Sequence, residues 1–321
     1  MEVSMNIGID LGGTNTAAAL VDESGTIIKR AVIPTNLKGG PDAVIDGLMN
    51  VCANLLSENG ETPDSIGIGV PGTVNAETGE VIFTANLPLV NVNITDRLKE
   101  KYACPVCLGN DANCAALGEV VAGGAKDAKN VVFITLGTGV GGGIVIDGYL
   151  HTGLTGAAGE IGHMVTSRGG RTCGCGRRGC WETYASATGL IRTSKEFMDR
   201  CKESILWKLC EGDQELVNGR MVFEAFRAGD HTAGRIVRRY IAHLATGIVN
   251  LINILEPELI CIGGGIANEW DSFGVPLQVT VNKEKYTRYS VDLPQTRIVK
   301  AELGNDAGLI GAAALTSISN V

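Results

Sequence analysis

The chain has 321 residues, 45% of them hydrophobic, and 35 acidic against 27 basic side chains, for a net charge of −8 at pH 7. That length holds two domains of ordinary size with real cores. The acidic balance leaves no basic surplus to neutralise a duplex, so nucleic acid is not an expected partner, although backbone amides can still hold a small anion locally. No apolar run approaches the ~18–20 residues of a membrane span, so no membrane partner is expected. The opening, MEVSMNIGIDLGG, lacks the basic and apolar regions of a signal peptide. Ten cysteines without an export signal are expected to be reduced thiols in a cytoplasm.

Residues 6–22 read as a hairpin, two apolar strands joined by a Gly-Gly turn, with a third strand over Thr26–Ile33. Residues 41–58 carry apolar positions at helical spacing (Val44, Ile45, Leu48, Val51, Cys52, Leu55, Leu56) behind Pro41 and Asp42. Ser65–Val70 is a buried-type strand running into Pro71-Gly72. Leu98 closes a short helix, Cys104–Gly109 is a strand, and Asp111–Val121 is an alanine-rich helix. The same grammar then returns. Val131–Leu136 is a strand, Gly137-Thr138-Gly139 the turn and Gly141–Ile146 the returning strand, which points to a duplicated architecture. Residues 187–250 are mainly helical, Leu259–Ile262 is a strand entering Gly263-Gly264-Gly265, and Asp306–Ile318 is a closing helix.

The densest chemistry lies between Glu160 and Ser186. His163, Cys173, Cys175 and Cys180 offer one imidazole and three thiolates, the ligand count of a closed tetrahedral zinc site. Three unconnected loop cysteines are the alternative. Four protein ligands leave no open position for water, so such a zinc is structural. Glu160 and Glu182 flank the cluster, either as partners that orient the ligands or as acceptors for the hydroxyls of a bound ligand.

Asp10-Leu11-Gly12-Gly13-Thr14 sets a carboxylate at a strand end beside bare amides. Glycines admit phosphate oxygens, Thr14 adds a hydroxyl, and Asp10 could hold Mg²⁺ through water; a plain hairpin is the other reading. The Gly-x-Gly patterns after Leu136 are not followed by a long helix, which disfavours a dinucleotide fold. Asp111 sits at a strand-to-helix junction, where it is either a helix N-cap or a general base. Asn86 is either a turn residue or a hydroxyl partner. Cys104 and Cys107 have redox spacing but lie in a strand, so buried core cysteines are expected. Arg235–Arg239 reads as the solvated face of a helix, and Arg168, Arg171, Arg177 and Arg178 as solvating or bracing the cysteine loop. His151, His231 and His243 have no companions that recommend them.

Glu160-Ile161-Gly162-His163 followed by Cys173-Gly174-Cys175-Gly176-Arg177-Arg178-Gly179-Cys180-Trp181-Glu182 resembles the signature of the ROK family of sugar kinases and sugar-responsive repressors. The three glycine turns, in this order, resemble the phosphate 1, phosphate 2 and adenosine motifs of actin-like and hexokinase-like ATPases. The resemblance covers essentially the whole chain. It implies an α/β fold of two ribonuclease-H-like domains with an interdomain cleft and a structural zinc loop. The expected domains are 1–116 plus 306–321, and 117–305. It further implies ATP-dependent phosphorylation of a hexose, with glucose favoured by Ala85-Asn86-Leu87-Pro88 and with other hexoses or N-acetylhexosamines as alternatives. ATP with Mg²⁺ would lie on Asp10, Gly12, Gly13, Thr14, Thr138, Gly139, Gly264 and Gly265. The sugar would lie against Gly72, Asn86, Asn110, Asp111, Glu160, His163 and Glu182, with Asp111 as base. A homodimer is expected. The repressor reading would call for a DNA-binding domain ahead of the first glycine loop, where about seven residues stand, and a silent sugar sensor is the third possibility.

Overall fold

The computed structural model describes residues 5–56, 62–289 and 292–318. β1 (Met5–Leu11) and β2 (Asn15–Asp22) form the expected antiparallel hairpin, and β3 (Ile27–Pro34) extends it. α1 (Gly40–Leu55) turns the expected stripe, Val44 to Leu55, onto the core; positions 57 and 58 of the expected helix lie outside the described residues. β4 (Ser65–Val70) is buried throughout and runs parallel to β1.

β5 (Gly72–Asn75), β6 (Glu80–Thr84) and β7 (Val90–Asn93) make a separate antiparallel sheet. No strand is expected here from the sequence, because segments of four or five residues are too short to display a clear alternation. α2 (Asp96–Tyr102) corrects a second expectation. Leu98 sits inside it rather than closing it, and the stop comes at Ala103, whose φ is 50°. β8 (Val106–Asn110) feeds α3 (Asp111–Ala122) directly. Cys104 precedes β8 and Cys107 lies on it; both are half-buried rather than in the core, and partial burial pushes both thiols up.

β9 (Val131–Leu136), β10 (Val140–Ile146) and β11 (Tyr149–Leu150) repeat the opening pattern. The helical stretch follows: α4 (Glu182–Ala185), α5 (Ala187–Met198), α6 (Leu206–Leu209), α7 (Gly219–Arg227) and the long α8 (His231–Leu255). β12 (Leu259–Gly263), α9 (Trp270–Glu284) and β13 (Arg297–Lys300) complete the second sheet. The expected closing helix is broken at Ala314 into α10 (Ala307–Ala313) and α11 (Leu315–Ile318).

The fold is α/β with two mixed five-stranded sheets, ordered β3-β2-β1-β4-β8 and β11-β10-β9-β12-β13. Each lays its first three strands in reverse order and then adds the fourth and fifth. The chain divides into one unit of residues 1–133, 143–159 and 301–321 and another of 134–142 and 160–300. All of α3 falls in the first unit, where it packs on α10. No helix among the described residues is long and apolar enough to cross a membrane.

In the first unit, alternation sends Ile7, Ile9, Ile66 and Ile68 to the α1 side of the sheet, where they are fully buried. Gly8 and Gly67 face the other way, opposite one another in register. A Cβ on Gly8 would lie 1.9 Å from the Leu309 carbonyl oxygen, and one on Gly67 1.7 Å from that of Ala312. α10 therefore rests backbone-first on bare sheet. On its other side, a Cβ on Gly311 would meet the Cys114 carbonyl oxygen at 1.6 Å. Gly311→Ala should accordingly lower unfolding free energy by about 1–3 kcal/mol or more through overpacking, read as a lower urea midpoint. An unchanged midpoint would contradict this close packing.

Candidate active site and metal centre

Within the first unit, the turn after β1 is closed by Gly12 N–H donating to Asn15 O at 3.0 Å, while Thr35 Oγ1 donates to Gly12 O at 2.7 Å. Thr35 N–H reaches Thr14 O at 2.9 Å, which leaves the Thr14 side chain exposed. Asp10 lies half-buried at the strand end, and burial raises its pKa above the usual carboxylate value. The N-terminal end of α10 approaches it: a Cβ on Gly308 would stand 3.7 Å from the Asp10 carboxyl carbon. Gly13 approaches the backbone of Asn86, itself exposed in a turn that Thr84 Oγ1 fastens by donating to Leu87 O at 2.8 Å.

At the β8–α3 junction the cap is not Asp111 but Asn110. Its Oδ1 accepts from Ala112 N–H at 2.9 Å and Asn113 N–H at 3.2 Å, so Asn110 is the N-cap. Its Nδ2 donates to Gly72 O at 3.1 Å, tying the β5 segment to the same corner. Asp111 is the first helical residue, with an exposed side chain and one oxygen accepting from Ala112 N–H at 2.8 Å. Burial first, then the charges of Asp111 and Asp10, pushes the Cys114 thiol far up, so both carboxylates act on one neighbourhood.

Within the second unit, the Gly137–Gly139 turn is docked on the start of α5. Ala187 N–H donates to Gly137 O and Thr188 Oγ1 to Thr138 O, both at 2.8 Å. Gly264 has φ of 83°, and a Cβ there would meet Leu136 backbone atoms at 2.6 Å, so only glycine fits and the two turns lie together. Gly265 opens onto space, and Thr138 is exposed.

The ligand atoms of His163, Cys173, Cys175 and Cys180 all lie within 4.8 Å of one another. Cys175 and Cys180 sulfurs are 3.7 Å apart, and Cys173 Sγ is 3.5 Å from His163 Nδ1. Sulfurs held ~2.3 Å from a tetrahedral Zn²⁺ stand about 3.8 Å apart, so the donor set fits that ion. Burial, then the Glu182 carboxylate 2.9 Å away, pushes the Cys173 thiol up to about 12, whereas the Arg177 amide draws Cys175 down. A cation held by these residues would favour all three as thiolates. Glu182 is also 3.6 Å from His163 Nδ1, and a Cβ on Gly139 would touch it at 2.8 Å. Glu160, mostly exposed, faces the other imidazole nitrogen at 3.8 Å.

The sequence reading saw the cluster but not what anchors it. Trp181 is fully buried, donates its indole N–H to His243 O at 2.8 Å and covers Gly247 of α8. Arg171, left open between solvating and bracing, braces. Its guanidinium donates to Thr183 O, Thr193 Oγ1 and Glu196 Oε1 at 2.8–3.0 Å and lies 4.8 Å over the Tyr184 ring. His243 has the companions that sequence spacing hid, with its ring 4.8 Å from Tyr184. Burial, followed by the charges of Arg239 and Arg171, lowers its pKa to about 4. A bulky aromatic directly after the last cysteine was the one available signal for the Trp181 anchor.

Similarity to known proteins covers nearly the whole length. The chain is 37% identical over 312 residues to a glucokinase of Thermotoga maritima, with 96% of each chain covered. It is 33% identical over 310 residues to an N-acetylmannosamine kinase of Haemophilus influenzae, covering 96% of this chain and 93% of that one. Among solved structures, a ROK family glucokinase from Streptomyces griseus in complex with glucose and AMPPNP superposes with a TM-score of 0.77 at 32% identity, over 97% of this chain and 99% of the other. Residues 6–318 match the ROK family, and with these relatives the chain belongs to it.

Proposed function

We propose that this protein is an ATP-dependent hexose kinase acting on glucose, with Asp111 as the general base. The observation that carries this reading is the division of labour at the β8–α3 junction: Asn110 does the capping, so the adjacent carboxylate is kept exposed beside the Asp10 turn. Phosphoryl transfer needs alignment, charge neutralisation and one such proton acceptor. In this reading the β1–β2, β9–β10 and β12 turns take ATP, and Mg²⁺ associated with Asp10 neutralises phosphate charge. Gly72, Asn86, Asn110, Glu160, His163 and Glu182 contact the sugar. The cleft expected between two such domains is part of the proposal. Zinc, on His163 and the three cysteines, is assigned a structural role. A reducing cytoplasm is its proposed location, and none of the ten cysteines is in a disulfide.

The test is ADP release with ATP and Mg²⁺ over a panel of hexoses and N-acetylated hexosamines. Preferential turnover of glucose supports the reading. Preference for an N-acetylhexosamine would favour the second reading, which the N-acetylmannosamine kinase relative supports. No turnover with any sugar overturns both.

Asp111→Ala should cut kcat by about 100- to 10,000-fold while sugar binding, measured calorimetrically, changes little; near-normal turnover refutes the base assignment. Cys175→Ser should release zinc and raise the sugar KM by about 10-fold or more. Full zinc content with unchanged kinetics would contradict the metal assignment. Asp10→Asn addresses the raised pKa. Below the unfolded-state value near 3.8, Asp10 is protonated both folded and unfolded, and the substitution should leave Tm alone. As pH rises through the raised folded value, the unfolded chain ionises first and the wild type loses stability. The variant's Tm advantage in metal-free buffer should therefore grow from pH 4 to 7, and a constant difference would contradict the burial cost.

A further inference from the structure

We infer that the groove between α5 and α8 is a binding site for a compact, phosphate-bearing anion, separate from the glycine turns. Three arginines, Arg200 just beyond α5 and Arg235 and Arg239 on α8, line a cavity of about 260 Å³ with Glu196, Phe197 and Cys201. Arg235 and Arg239 are four residues apart, so one helix face presents both. Arg235 is held with its guanidinium 5.1 Å over the Phe197 ring, an arrangement that fixes the fork without using its N–H donors.

None of the three guanidiniums makes an ion pair or a hydrogen bond among the described residues. The one carboxylate on the rim is already engaged: Glu196 accepts from Arg171 at 3.0 Å and stands 3.5 Å from Arg192. In a chain with net charge −8, acidic partners are abundant. Three guanidiniums gathered around one concavity with a single carboxylate that is shared elsewhere repel one another, and a ligand with several anionic oxygens removes that repulsion. Arginine supplies paired, coplanar donors that match phosphate oxygens, and all three positions carry arginine rather than lysine. The cavity's size suits a small molecule, and the acidic remainder of the chain excludes a polyanionic duplex.

Calorimetric titration of the full chain with inorganic pyrophosphate tests this without using turnover, so its outcome is independent of the kinase reading. Saturable binding is expected, weakened about 10-fold or more in Arg200→Ala/Arg239→Ala. The component lost in that variant should be unaltered in Thr138→Ala, which would weaken only pyrophosphate held at the glycine turns. All three positions are exposed, and circular dichroism is the check that the variants fold. Arg200→Lys/Arg239→Lys should fall between, because charge is kept and the fork lost. No saturable binding, full affinity in the double alanine variant, or loss of it in Thr138→Ala would each overturn the site. Equal binding of acetate would overturn the assignment to phosphate.

Discussion

The architecture of the first unit rests on a patch of sheet without side chains. Gly8 and Gly67 are paired across β1 and β4, and α10 lies on them with its backbone almost touching the strands. Dense contact of this kind gains dispersion energy that a larger residue could not supply, because any Cβ would force the layers apart. The approach also has electrostatic content. It brings the start of α10 beside Asp10, so the layer that stabilises the sheet sets the environment of the candidate cation-holding carboxylate.

The opposite end of α3 is fixed by a different device. Glu119 is fully buried, and its carboxylate accepts from the amides of Gly124, Glu302 and Leu303 at 2.8–3.0 Å. A buried carboxylate is tolerable only with such donors. Here they come from the end of α3's own loop and from the segment that brings the chain back into this unit.

Much of this was legible in sequence where one local rule governs. The hairpin, β4, α3 and the second strand–turn–strand all follow from period and turn chemistry, within a residue or two. The four metal donors were legible because cysteine and histidine are scarce and their spacing is chemical. The β5–β7 sheet was not, since its strands are too short to show a period. Nor were the anchors Trp181, Gly247 and His243, which lie up to 66 positions apart and meet only through the packing of α8. The capping role also went to Asn110 rather than its neighbour. Both residue types are good caps, and only the register of β8 against α3 decides between them.

The discontinuity of the first unit bears on how the chain acquires its structure. Residues 301–321 belong with 1–133, yet the whole of 160–300 is synthesised in between. Until α10 arrives, the glycine patch and the inner face of α3 have no cover, and Glu119 lacks two of its donors. The first unit is begun first and closed last. Its folding therefore waits on long-range loop closure rather than on local propensity. During that wait a nascent chain presents bare sheet and apolar helix surface, the state in which chaperone protection and misassembly compete.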